Sequence, residues 1–158
     1  MAILTDALNG FKSPEHIDFT FGNPTLLSQY EFSTASAPTY PLPCGVPVFA
    51  STSTEVVTGQ NAGGTTPLLG ITFNKVDNAT SPFSIVVPDG ELVLRVPITS
   101  LDPSGTWTIS APTQLYVNPS NGLITTTSNG NAFFTALNSD ATSVWIQFNM
   151  SYVGQWGE

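Results

Sequence analysis

Apolar and polar residues alternate with a period of two along most of the chain after residue 43. In residues 92–98, Leu92, Leu94 and Val96 fall on one side of an extended chain, and the intervening residues fall on the other. This spacing is typical of a β-strand with one buried face. The pattern predicts further short strands near residues 46–48, 55–57, 69–73, 107–109, 115–117, 123–127, 132–137 and 144–150.

Turn sequences separate these strands. Two apolar runs flank Pro88-Asp89-Gly90, where Pro presets φ and Gly tolerates a positive φ. We therefore predict a β-hairpin over residues 83–98. Asn121-Gly122 predicts a second reverse turn, because both residues tolerate the left-handed conformation that hairpins require.

Many short strands, polar turns and no helical crossovers indicate an all-β fold. The prediction is a small antiparallel β-barrel or sandwich over residues 41–150, followed by a tail over residues 151–158. A chain of 158 residues is long enough for one domain with its own core.

The first 40 residues follow a different pattern. Prolines interrupt any alternation, yet aromatic side chains are frequent, which is unlike a disordered segment. We predict an extended N-terminal arm over residues 1–40, with a short helix over residues 2–9. The arm either lies on neighbouring subunits or wraps its own barrel.

In the first case, aromatic rings of the arm and the tail form contacts that other chains complete. The predicted capsid or subunit interface then includes Phe11, Phe19, Phe21, Tyr30, Phe32, Tyr152 and Trp156.

Charge limits the possible partners. Charged residues make up 9% of the chain, against about 25% in an ordinary soluble domain. With 11 acidic and 3 basic residues the net charge is −8, which argues against a nucleic-acid partner and an anionic membrane surface. The N-terminus lacks the basic and apolar regions of a secretory signal, so we expect synthesis and use without export.

Residues capable of chemistry are few. His16 is the single histidine and Cys44 the single cysteine, which excludes an internal disulfide and leaves too few ligands for zinc. Asp89 and Glu91 are the nearest approach to a catalytic carboxylate pair, and the turn accounts for Asp89. We predict no enzyme activity, no metal and no cofactor.

Residues 41–149, taken in order, resemble the structural cement, or head-decoration, proteins of tailed bacteriophages. Residues 43–48 (PCGVPV) are similar to that family's opening strand, and residues 69–71 (LGI) to its Gly-Ile/Val strand. Residues 89–96 (DGELVLRV) are similar to its Gly-x-Val-x-Val strand. Residues 114–117 followed by Asn121-Gly122 resemble its Val-Tyr hairpin.

The resemblance implies a β-barrel or β-tulip-like domain without catalytic residues. It further implies binding to the major capsid protein on the outer surface of the head, as a dimer or trimer. Such a protein is made in the host cytoplasm and ends in the virion. Two alternatives remain: a carbohydrate-binding β-sandwich, for which Trp107, Trp145 and Trp156 are candidate stacking rings, and a tail or baseplate component.

Overall fold

The structure, a computed structural model, describes residues 16–62 and 68–150. The predicted helix over residues 2–9 lies outside the described residues, as do Phe11, Tyr152 and Trp156.

The described chain forms a sandwich of two six-stranded sheets. Sheet I has the spatial order Asp18–Phe21 (β1), Val93–Pro97 (β8), Ser143–Phe148 (β12), Phe134–Ser139 (β11), Thr113–Val117 (β9) and Ile124–Thr125 (β10). Sheet II has the order Leu26–Leu27 (β2), Ile85–Val86 (β7), Leu68–Thr72 (β6), Pro47–Ala50 (β4), Glu55–Thr58 (β5) and Glu31–Phe32 (β3). A short 3-10 helix, Ile98–Ser100, follows β8. The predicted all-β class is confirmed.

The strand pairs are antiparallel with one exception. β3 lies parallel to β5, with Phe32 opposite Val56. The hairpin predicted around Asn121-Gly122 is confirmed, because β9 pairs with β10. Gly122 has a positive φ of 76°, whereas Asn121 does not adopt a positive φ. β11 and β12 also form a hairpin.

The hairpin predicted over residues 83–98 is wrong. β7 pairs with β2 and β6 in sheet II, whereas β8 pairs with β1 and β12 in sheet I. A turn is present over residues 89–92, after Pro88 and not around it, because the Leu92 N–H donates to the carbonyl oxygen of Asp89 at 3.1 Å. Gly90, however, does not adopt a positive φ. The turn therefore carries the chain from one sheet to the other.

The strand predicted near residues 107–109 is also absent. The Ile109 N–H donates to the Ser139 hydroxyl at 2.7 Å, instead of to a backbone carbonyl. Trp107 donates its indole N–H to the Asp102 carbonyl at 2.7 Å. Hydrogen bonds that involve a side chain thus replace a β-ladder in this segment.

Sheet II has an apolar cluster on each face. Neighbouring residues of its strands belong to different clusters: Val56 and Val57 are separated in this way, as are Ile85 and Val86. Because adjacent side chains of a strand point to opposite faces, the two clusters lie on opposite sides of sheet II. The larger one fills the space between the sheets, and the smaller one, which we call the outer cluster, covers the far side of sheet II.

Residues 26–43, which we call the strap, cover the outer cluster. Phe32 and Leu42 are buried members of it, and Leu27, Tyr30 and Tyr40 pack against it. The ring of Phe32 stacks on that of Phe83 with the centroids 4.7 Å apart. In the described part of the arm, the alternative in which the arm wraps its own body is therefore the one observed.

Candidate docking surface and groove

Two connections cross between the sheets at one end of the sandwich. Phe21 at the end of β1 lies opposite Val93, and Leu26 at the start of β2 lies opposite Val86. Between these pairs, the Val87 N–H donates to the Thr25 carbonyl at 2.9 Å. Residues 21–26 and 86–93 thus run side by side, and together with Met150 we call them the crossing end.

The exposed large hydrophobic side chains of the described residues all lie at the crossing end. Phe21 is 67% exposed, Leu26 40% and Met150 41%. Met150 lies against the turn, since a Cβ atom built on Gly90 would be 3.1 Å from its Cγ. All three side chains therefore belong to residues that pair with or lie against the connection over residues 86–93, which spans at most about 25 Å when fully extended.

The charges at this end are acidic. Asp89 and Glu91 are exposed, and the Asp89 carboxylate accepts the Glu91 N–H at 2.9 Å. The two basic residues that the structure describes have acidic partners elsewhere: Lys75 lies 3.4 Å from Asp77, and Arg95 lies 3.5 Å from Asp140. The crossing end therefore combines exposed apolar side chains with a small negative charge.

A groove of about 480 Å³ lies between the strap and residues 76–83. Phe32 and Phe83 are the buried rings of its lining, and Tyr30 and Tyr40 are half-buried. Burial raises the pKa of the Tyr40 phenol, so this side chain stays protonated at neutral pH. Polar side chains complete the lining, among them Ser28, Gln29, Glu31, Thr34, Asn78, Thr80 and Ser81.

Asp102 is the buried carboxylate of the described residues, 1% exposed. It accepts hydrogen bonds from the Ser104 N–H at 3.1 Å, from the Asn118 amide at 2.9 Å and from the Asn121 amide at 3.1 Å. Burial alone would raise the pKa of Asp102, but hydrogen bonds from Asn118, Ser104 and Thr125 outweigh it and hold the pKa well below its usual range.

The Asp102 cluster has the geometry of a structural support. The side-chain oxygens of Asn118 and Asn121 accept the Ser120 and Leu123 N–H groups, which fixes both amides with their NH₂ groups towards the carboxylate. The Asp102 carboxylate thus accepts the hydrogen bonds that the two amides donate, and these bonds tie residues 102–104 to residues 118–123. Sequence reasoning missed this cluster, although Asp102-Pro103-Ser104-Gly105 is a turn sequence in which the Asp caps its own turn.

His16 and Cys44, which were considered for chemistry, have different surroundings. His16 is exposed and stacks on Phe73 with the centroids 5.6 Å apart. Cys44 is buried, with its Sγ 3.6 Å from the Ser100 hydroxyl. Within residues 16–62 and 68–150, no group of three or more His, Cys, Asp or Glu side chains is placed to hold a metal ion. Nor does this part of the chain contain a helix long and apolar enough to cross a membrane.

The candidate stacking tryptophans have separate partners. Trp145 donates its indole N–H to the Thr20 hydroxyl at 3.0 Å, and the Arg95 guanidinium lies 5.4 Å from its ring centroid. Trp107 is held by the Asp102 carbonyl. Both rings are half-buried and engaged within the body, and Trp156 lies outside the described residues.

The predicted interface residues are distributed over different surroundings. Phe21 is exposed at the crossing end, and Phe19 is half-buried, stacked on Phe73 at 5.8 Å. Tyr30 lines the groove. Phe32 is 8% exposed and its ring is covered by its own chain, where it stacks on Phe83.

Comparisons of the chain with protein-family models, curated proteins and solved structures found no match.

Proposed function

We propose that this protein is a decoration, or cement, protein that binds the outer surface of a phage head and stabilises the shell by bridging subunits of the major capsid protein. The observation that carries the proposal is the grouping of Phe21, Leu26 and Met150 at the crossing end. The resemblance of residues 41–149 to head-decoration proteins supplies the kind of partner.

Exposed hydrophobic side chains that are grouped on one surface favour a protein partner. Removing apolar surface from water stabilises a complex by about 25 cal/mol for each Å² buried. The low charge content agrees with a permanent place among neighbours, because Ser, Thr, Asn and Gln side chains form hydrogen bonds with little long-range repulsion. On a shell, each copy needs only a modest interface of about 800 Å² per partner.

We propose a route of attachment that differs from the one expected from the sequence. The predicted bridge was the N-terminal arm over residues 1–40, but Leu27, Tyr30, Phe32 and Tyr40 of that arm belong to the outer cluster of sheet II or pack against it. Docking through the side chains that cover the outer cluster would expose that cluster, whereas docking through the exposed side chains of Phe21, Leu26 and Met150 leaves the body intact. We therefore assign the shell contact to the crossing end. Phe11, Tyr152 and Trp156 stay predicted contacts outside the described residues.

The proposal includes self-association as a dimer or trimer and a final location in the virion. A bridging protein needs either two contacts on one copy or one contact on each of several copies. With one apolar end on the described body, the second arrangement fits better.

The test is binding of purified protein to heads of the encoding phage that were assembled without it. We expect the double variant Phe21→Ser/Leu26→Ser to sediment with heads at least about tenfold more weakly than the unaltered protein, since two apolar anchors are lost. Both side chains are exposed, so the thermal midpoint should change little.

Tyr116→Ser is the matched control, because Tyr116 lies on β9, away from β1 and β8 in sheet I, and outside the crossing end. Its binding should stay within about twofold of the unaltered protein. If the double variant binds heads as tightly as the unaltered protein, the crossing end is not the shell contact. Failure of the unaltered protein to bind heads would overturn the proposed function.

A further inference from the structure

We propose that the groove between the strap and residues 76–83 binds a neutral oligosaccharide, independently of the shell contact. None of the groove-lining residues belongs to the crossing end. Its volume of about 480 Å³ falls within the roughly 300–1,000 Å³ that is usual for small-ligand sites.

The aromatic part of the lining offers two amphipathic rings. Tyr30 and Tyr40 are half-buried, each with part of its ring against the outer cluster. Neither phenol hydroxyl makes a hydrogen bond to another described residue. Tyrosine presents an apolar face and a polar tip together, which matches the C–H faces and hydroxyl groups of a sugar ring.

The edge-on packing of Phe32 against Tyr40 helps to hold this arrangement. Their centroids are 6.5 Å apart and their planes meet at 81°. Phe32 is in turn fixed by its stack on Phe83. Tyr40 is therefore supported by buried rings, and a supported ring loses little conformational entropy when a ligand binds.

The polar part of the lining supplies hydrogen bonds. The Asn78 side-chain oxygen accepts the Thr80 N–H at 3.0 Å and the Thr80 hydroxyl at 2.8 Å, which leaves the Asn78 NH₂ group as a donor. Glu31 is exposed and makes no side-chain hydrogen bond or ion pair within the described chain, so its carboxylate is an acceptor. A carboxylate and an amide are a good match for sugar hydroxyls, which both donate and accept.

Charge selects among ligand classes. The lining contains one acidic side chain, Glu31, and no Lys, Arg or His. The Glu31 carboxylate would repel phosphates, sulfates and uronic acids, because no basic side chain in the lining balances its charge. A purely apolar ligand would leave the polar lining without partners, which is unfavourable. A neutral, hydroxyl-rich ligand with apolar faces satisfies both parts of the groove.

The test uses isotope-labelled protein and three neutral probes: cellohexaose, maltohexaose and chitohexaose. Titration to about 10 mM detects dissociation constants in the millimolar range. We expect at least one probe to shift the backbone amide signals of residues 29–34 and 78–81. Hexagalacturonate, the acidic comparison, should bind at least about tenfold more weakly.

Variants locate the binding. Tyr30→Ala and Tyr40→Ala should each weaken the affinity for the responsive probe by about tenfold, and Phe21→Ser should leave it unchanged. If an alanine variant does not fold, Tyr30→Phe and Tyr40→Phe remove only the hydroxyl groups and should weaken binding by about threefold.

The proposal is overturned if none of the neutral probes shifts these signals, if hexagalacturonate binds most tightly, or if affinity is unaltered in the tyrosine variants that fold. Head binding by the tyrosine variants should stay at the level of the unaltered protein. Loss of sugar binding with intact head binding, or the reverse, therefore separates failure of this site from failure of the docking proposal.

Discussion

At the scale of single residues, Asp102 shows how a sparsely charged protein uses one buried carboxylate. Its donors come from its own turn and from the loop before β10, so one side chain fixes the relative position of two loops. Such a group stabilises the fold only while all its donors are satisfied, because a buried donor without an acceptor costs about 1–3 kcal/mol.

Asp102→Asn should therefore destabilise the protein. The substitution places an NH₂ group against the Asn118 or Asn121 amide and removes the charge that both donate to. We expect the free energy of unfolding at pH 7, measured with urea, to fall by about 2–3 kcal/mol. Asp89→Asn, in an exposed turn, should stay within about 0.5 kcal/mol of the unaltered protein. Similar small effects of both substitutions would contradict the support role of Asp102.

The same residue gives a pH dependence with a definite sign. The pKa of Asp102 is lowered in the folded protein, whereas in the unfolded chain it is about 3.9. As the pH falls, the unfolded chain takes up the proton first, so the stabilisation is complete above the unfolded pKa and is lost on acidification. The stability difference between the unaltered protein and Asp102→Asn should accordingly shrink between pH 7 and about pH 3. A stability difference that stays constant over this pH range would contradict the lowered pKa of Asp102.

At the scale of elements, the strap explains why sheet II is buried on both faces. All five residues of β6 are buried, including Leu69 on the outer side and Ile71 on the inner side. An antiparallel sheet often leaves one face in water. Here residues 26–43 cover it, and the edge strands β2 and β3 anchor this cover by backbone pairing.

Phe32→Ala should consequently lower the stability of the isolated protein by about 3–5 kcal/mol, as expected for a large buried ring. Phe21→Ala is the matched comparison: the same substitution on the same arm, at a side chain that is 67% exposed, with an expected change within about 1 kcal/mol. Urea unfolding of both variants measures the difference. If Phe32→Ala lowers the free energy of unfolding by no more than Phe21→Ala does, the strap does not cover sheet II in the free protein.

The elements also show what the sequence could and could not predict. β9, β10, β11 and β12 were predictable, because alternation marked the strands and Asn121-Gly122 or a short loop joined neighbours. The partners of β7 and β8 were not, since a tight turn within a hairpin and a bend between sheets use the same residues. Alternation reports which face of a strand is buried, but the choice of partner strand depends on distant segments.

Dependence on distant segments also limited the prediction of functional residues from the sequence. The exposure of Phe21 and the burial of Phe32 could not be distinguished in a proline-interrupted segment without a regular period. Tyr30, Tyr40 and Asn78 form one groove although the chain separates them widely, and only the folding of the strap onto sheet II brings them together. The composition of the arm indicated that some of its aromatic rings are buried. Which rings are buried depends on contacts with residues that are distant in the sequence.

At the scale of the whole molecule, two surfaces have different chemistry. The crossing end is apolar with a small acidic charge, and the groove combines tyrosine rings with polar side chains. The first fits attachment to a protein shell, and the second fits a small hydroxyl-rich ligand. Because the crossing end does not include the groove-lining residues, a copy attached to the shell by that end would keep the groove accessible.

The most direct test of the account is a cryo-EM reconstruction of the encoding phage's head in which β-strands are resolved. We expect a two-sheet density on the outer surface of the shell, with the crossing end facing the major capsid protein and with Phe21 and Leu26 in the contact. A reconstruction without this density, or one in which the crossing end faces solvent while another surface meets the shell, would contradict it.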